Sequence, residues 1–349
     1  MHIWHKIIMK NCINIKSNQN AKLYKLQGEK MKKFYITCLI FMSTLIAAEV
    51  DSTTDQCEAT NDISTEKVFT KDFSGTFNGQ KLNYTASLKE KILYEKDNPK
   101  AELASFYYSE YIVSSDENRP IMFIFNGGPG SASLWLHMGV LGPKIVKVPS
   151  DASDDGSPPY NIIDNNLSPL SETDMVFIDP IGTGYSRALG CHDGEEFWGV
   201  NEDPKIIAEF IRRWITDNKR WNSPRYILGE SYGGIRGPLL VSELRSGDIT
   251  PIEINGLLMV APASDYQYLV FHPGNNSPHY GFFPSYAATA YYHGKVKTEK
   301  SLADFYNESK KFSLEEYGPA LLKGSRISLD EKNNLIKKYA SFTGLSERF

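Results

Sequence analysis

The sequence predicts an α/β fold, and three patterns carry that prediction. Four short apolar runs, over 121–125, 175–178, 226–228 and 254–260, are each bounded by Gly, Pro or Asn, as strands covered on both faces tend to be. A β-rich alternating stretch precedes them, and a one-faced helical pattern lies between two of them. The composition agrees: of 349 residues, 41% are hydrophobic and 12% aromatic, enough to build a sizeable core.

From the N-terminus, Met31-Lys32-Lys33 opens a basic segment, 34–47 follows as an uncharged apolar run, and Ile46-Ala47-Ala48 gives a small-residue exit. This is the pattern of a secretory signal peptide over 31–48, too short to span a bilayer comfortably. Residues 1–30 read as a non-native extension upstream of a start at Met31. The expected mature chain is exported, periplasmic or secreted, with no transmembrane span. The whole chain carries a net charge of −4; without 1–48 it keeps 30 basic and 41 acidic side chains, a net −11. That balance offers no basic footprint for nucleic acid. Of the four cysteines only Cys57 and Cys191 remain, free to pair in an oxidising compartment, although sequence alone does not decide whether they meet. No Cys/His spacing suits a metal, and no cofactor is implied.

Residues 67–113 alternate with turn signals at Asn78-Gly79 and Asn98-Pro99, which predicts an antiparallel meander. Residues 150–159, rich in Asp, Ser, Gly and Pro, read as a surface loop. Over 203–218, Ile206, Ile207, Phe210, Ile211, Trp214 and Ile215 line one helical face, with Pro204 in the first turn where it is tolerated. After Ala263 the strand signal gives way to helices and loops, the last clear helix covering 330–339.

Two motifs sit at strand ends. Gly229-Glu230-Ser231-Tyr232-Gly233 follows one strand and precedes an apolar helical run with Leu239, Leu240 and Leu244. A Ser in that position can occupy a sharp turn that lifts its Oγ from the sheet, with helix N–H groups aimed towards it. Asn126-Gly127-Gly128-Pro129-Gly130 follows another strand, where glycines let backbone N–H groups approach a ligand closely. Either motif alone is weak; two at the carboxyl ends of neighbouring strands mark the place where open α/β sheets bind ligands.

These motifs resemble the serine carboxypeptidases, peptidase family S10. Besides the two above, Asp179-Pro180-Ile181-Gly182-Thr183-Gly184-Tyr185-Ser186 appears in family order, and Phe197-Trp198-Gly199-Val200, Trp221-Asn222-Ser223-Pro224 and Tyr286-Ala287-Ala288-Thr289-Ala290 look like the bacterial branch. The resemblance runs from about residue 65 onward. It implies an α/β-hydrolase fold: a mixed, mostly parallel sheet with helices on both faces. On that reading 49–263 form the core, 264–349 an incomplete helical cap segment, and the final strands lie beyond the chain. It also implies a serine-type carboxypeptidase that releases C-terminal residues from peptides with a free C-terminus, through an acyl-enzyme on Ser231. Gly128 and Tyr232 would supply the oxyanion hole, and Asn126, Gly127 and Glu230 would bind the substrate carboxylate. Glu230 can donate to a carboxylate only when protonated, which predicts better binding at acidic pH. The chain departs from the family at Ile124, where many members have Trp, and at Ser131, where many have a disulfide-bonded Cys.

The catalytic triad is expected to be incomplete. A Ser nucleophile in this fold needs an acid and then a His downstream. The available acids are Asp248, Asp265, Asp304 and Asp330 and the histidines His272, His279 and His293, none in the strand-turn context the family uses. The histidines read as ordinary loop or surface residues. The chain is therefore expected to stop within the cap, to leave the 254–260 strand as an exposed sheet edge, and to be inactive or impaired as an enzyme. The alternatives are a non-catalytic binder of peptide carboxylates and an esterase or acyltransferase on the same fold. A dinucleotide-binding reading of Gly182-Thr183-Gly184 fails for want of the later glycine.

Overall fold

The computed structural model describes residues 64–114, 118–149, 157–246 and 250–348. The signal-peptide reading, Cys57, Asp248 and most of the 150–159 loop lie outside them.

The chain begins with a hairpin. Strands β1 (Val68–Phe77) and β2 (Gln80–Tyr94) pair antiparallel, and Asn78 and Gly79 both adopt positive φ, 47° and 81°, as a two-residue loop of this type requires. Strand β3 (Glu102–Val113) completes the predicted meander. Next come β4 (Ile121–Phe125), the short β5 (Lys144–Val146) and β6 (Ile162–Asp164), β7 (Asp174–Ile178), β8 (Arg187–Ala188), β9 (Arg225–Glu230) and β10 (Gly256–Val260). The main sheet runs β1-β2-β3-β7-β4-β9-β10, with β8 beside β3. Pairs β4/β7, β4/β9 and β9/β10 are parallel. This is an α/β-hydrolase sheet.

Strand periodicity accounts for the two cores. Ile121, Phe123 and Phe125 of β4 and Val176 and Ile178 of β7 face helix α1 (Glu202–Asp217) and helix α2 (Gly233–Ser246) in one cluster. The intervening Met122, Ile124, Met175 and Phe177 point to the opposite face, covered by shorter helical turns that contribute Leu136 and Leu170. All six apolar positions predicted for the α1 face are buried. At the other end of the sheet, Asp174 is fully buried and accepts hydrogen bonds from Val113 N, Arg119 Nε and Arg220 Nη1, fastening the start of β7.

Strand β10 departs from the expectation that all four apolar runs are covered on both faces. Among the described residues it pairs only with β9, and Leu258, Met259 and Val260 remain 40–49% exposed. The expected exposed edge is there. Beyond it lie helices α3 (Ser277–Tyr292), α4 (Leu302–Phe312), α5 (Gly318–Lys323) and α6 (Leu329–Thr343), with their own cluster of Phe283, Ala287, Phe305, Phe312 and Phe342. Among the described residues, no helix is long and apolar enough to cross a membrane.

His137, in the helical turn after the β4 loop, stacks on Phe177 with ring centroids 4.5 Å apart, and its Nε2 meets Tyr111 Oη at 2.6 Å. Burial pushes its pKa down to about 4. The unfolded chain takes up that proton near pH 6.5 and the folded chain does not, so this stability is intact above pH 6.5 and drains away as pH falls towards 4, by up to about 3 kcal/mol. Melting temperatures of the wild type should fall across that window. His137→Gln, which keeps a partner for Tyr111 but cannot titrate, should show a shallower slope, and an identical slope would refute the assignment.

Candidate active site

Ser231 stands immediately after β9, at φ +57°, a conformation uncommon for a side chain with a Cβ. It is held there from three sides: Ser231 N donates to Val260 O (3.0 Å), and Ser231 O accepts from Gly234 N and Ala263 N (both 2.9 Å). Gly229 is required for the turn, because a Cβ there would lie 2.6 Å from Gly233 O. Strain of this kind persists only where the surroundings over-determine it, and it clusters at functional sites.

The parallel register Phe125↔Gly229 brings the ends of β4 and β9 side by side. The loop leaving β4 therefore lies on the serine turn. A Cβ on Gly127 would come within 2.5 Å of Tyr232 N, 2.6 Å of Glu230 O and 2.8 Å of Ser231 Cβ, so only glycine permits the approach. Asn126, fully buried, donates from Nδ2 to Glu230 Oε2 (3.1 Å) and accepts at Oδ1 from Leu136 N (3.1 Å). Gly127 N also points to Glu230 Oε2, at 3.4 Å. Among the described residues, neither Gly128 N nor Tyr232 N donates a hydrogen bond, and Ser231 Oγ has no partner. Asn126, Gly127, Glu230 and Ser231, four of the six residues singled out from the sequence, thus form a contiguous patch, and Gly128 and Tyr232 are their immediate chain neighbours.

The third motif packs around this patch. Asp179 Oδ1 accepts from Ser133 N (2.8 Å), tying the loop after β7 to the loop after β4. Burial raises the Asp179 pKa, and that backbone bond partly offsets it. Gly182 and Gly184 both hold positive φ, and Trp198 donates to Ile181 O (3.1 Å), filling the space beside Gly182.

Among the described residues, none of the downstream acids and histidines hydrogen-bonds to the serine. His272 is exposed and sits against Pro273 O; His279 and His293 are exposed beside the rings of Phe271 and Tyr292. Asp265 caps a short helical turn by accepting from Gln267 N, Asp304 is bonded to Ser301, and Asp330 lies in the first turn of α6. Among the described residues no group of His, Cys, Asp and Glu suits a metal ion. Cys191 is disulfide-bonded.

Sequence reasoning passed over two residues behind the patch, Arg236 and Asp203. Arg236 Nε donates to Asp203 Oδ2 at 2.6 Å, both side chains being buried. The available signal was an arginine within the otherwise apolar run that follows the serine.

The serine carboxypeptidase family model, peptidase S10, matches residues 84–271, more than half of the chain. Serine carboxypeptidase-like 2 of Arabidopsis thaliana is 28% identical over 173 residues, covering 47% of this chain and 37% of that protein. Serine carboxypeptidase-like 5 of the same plant is 28% identical over 181 residues, covering 48% of this chain and 40% of that one. The matches thus span about two fifths of those relatives' length. Among solved structures, Kex1(delta)p, a prohormone-processing carboxypeptidase from Saccharomyces cerevisiae, is 18% identical with a TM-score of 0.43, covering 75% of this chain and 53% of that chain.

The close approach at Gly127 predicts that Gly127→Ala destabilises the protein by about 1–3 kcal/mol in urea denaturation, through overpacking against the turn. Gly130→Ala is its control: a Cβ there meets nothing within 4 Å. It should cost no more than about 0.5 kcal/mol. Equal midpoints for the two variants would contradict the packing.

Proposed function

The chain belongs to the serine carboxypeptidase family, and on that premise we propose that its site grips the C-terminal carboxylate of a peptide and presents the neighbouring carbonyl to Ser231. One observation carries the reading: the β4 loop and the serine turn meet at Gly127, which puts the carboxylate-binding and acylating groups within one residue of each other. Ser231 is the nucleophile. Gly128 N and Tyr232 N are the oxyanion donors, aimed where negative charge develops on the tetrahedral carbonyl oxygen. Asn126, Gly127 and Glu230 receive the substrate carboxylate. Both internal donors to Glu230 use Oε2, which leaves Oε1 as the oxygen turned to the ligand.

Attack by Ser231 also needs a base to accept the Oγ proton. With no described histidine bonded to Ser231, the reading for these 349 residues is carboxylate binding with impaired acyl transfer. Export to the periplasm or the extracellular medium completes the proposal. The disulfide at Cys191 supports it, since such bonds persist in oxidising compartments.

Three measurements test this reading. An N-blocked dipeptide with a free C-terminus should bind at least about tenfold more tightly than its C-terminal amide, the scale of one charge-assisted contact; equal affinities would overturn the carboxylate site. Glu230→Gln, which keeps a hydrogen-bond donor beside the serine, should retain the preference for the free acid over the amide, whereas Glu230→Ala should lose it. A fluorophosphonate probe should label Ser231 slowly; rapid labelling, abolished in Ser231→Ala, would show that a base is in place.

A further inference from the structure

Arg236 lies on α2 five residues past Ser231 and is 1% exposed. Besides Asp203, its guanidinium reaches the β4 loop twice, donating from Nη1 to Asn126 O (2.7 Å) and from Nη2 to Pro129 O (3.3 Å). It also lies 5.3 Å from the ring centroids of both Phe125 and Tyr232. Burying a charge is costly, and an apolar side chain of similar volume often fills such a site with no loss of stability. What the charge adds is geometry. A carbonyl and the following N–H share one peptide plane, so gripping Asn126 O also aims Gly127 N–H. Gly128 N–H lies on the next plane, between the two gripped carbonyls. The Tyr232 ring, whose backbone N–H flanks the serine, rests on the same guanidinium.

We propose that Arg236, anchored by Asp203, is a positioning residue that aims the loop amides of Gly127 and Gly128 into the site. Desolvation raises the Asp203 pKa, and Arg236 opposes that shift, which fits a carboxylate held in place by its partner. The consequence for ligands rests on the proposed carboxylate site; the grip on the loop does not.

The test is amide hydrogen exchange by mass spectrometry on the full chain, comparing wild type, Arg236→Lys and Asp203→Asn, with residues 174–178 of β7 as internal reference. Lysine keeps the charge but cannot span both carbonyls. Exchange over 126–131 should quicken by about tenfold or more in Arg236→Lys and by a smaller factor in Asp203→Asn, with 174–178 unchanged. Affinity for the blocked dipeptide should fall by about tenfold in Arg236→Lys. Loop exchange that stays at the wild-type rate, or rises only in step with 174–178, would make Arg236 a stabilising residue and overturn the proposal. Loss of the whole fold in both variants would do the same. Should the wild type bind no dipeptide, the carboxylate reading fails, while the exchange result still decides the role of Arg236.

Discussion

The parallel pairing of β4 with β9 is the constraint on which the site depends. Its register sets Phe125 opposite Gly229, so the two strands end level with one another. A slip along either strand would carry the asparagine-glycine loop away from the serine turn. In parallel strands with both faces buried, such a slip would also exchange the two halves of the core. Phe123 and Phe125 would leave the α1 face for the side now holding Ile124 and Phe177. The packing that stabilises the sheet therefore also aligns the site, and the glycine at 127 is the point where alignment becomes contact.

Two buried charge clusters secure opposite ends of the same central strands. At the amino end, Asp174 collects Arg119, Arg220 and the Val113 amide; at the carboxyl end, Arg236 collects Asp203 and two loop carbonyls. In each cluster the charged groups are satisfied by several directed bonds, the condition under which burying them is tolerable. The two serve different ends. The Asp174 cluster joins the start of β7 to the end of β3 and to the segments leading into β4 and β9, whereas the Arg236 cluster holds the glycine-rich loop that leaves β4.

Much of this was legible in the sequence because it is written in local patterns. The turn at Asn78-Gly79, the β4 and β7 runs and the apolar face of α1 follow from short-range periodicity and turn chemistry. The two glycine-rich motifs stood out because they lie at the carboxyl ends of strands, where open α/β sheets bind their ligands, and the resemblance to the family picked out six residues within them. The exposed edge at Leu258, Met259 and Val260 was expected from the family resemblance and not from periodicity, because an apolar strand at a sheet edge reads the same as one in the middle. Arg236 was illegible because its role depends on tertiary neighbours. A charged residue in a helix is ordinarily solvated, and only the tertiary positions of Asp203, Asn126 and Pro129 turn it into a buried clamp.

In the proposed reading, the short distance between anchor and nucleophile decides which bond is at risk. Glu230 and Ser231 are consecutive, and in a regular strand their side chains would point to opposite faces. The positive φ at Ser231 breaks that alternation, and Gly127 meets both residues, its N–H reaching Glu230 Oε2 and a Cβ on it falling 2.8 Å from Ser231 Cβ. A peptide held by its terminal carboxylate at Asn126 and Glu230 can then reach Ser231 only with the carbonyl of the penultimate residue. An internal peptide bond has no carboxylate to offer and would leave Oε1 of Glu230 and the loop amides without a charged partner. In that proposed reading, selectivity for chain ends follows from an acid placed directly before the serine and a glycine set against both.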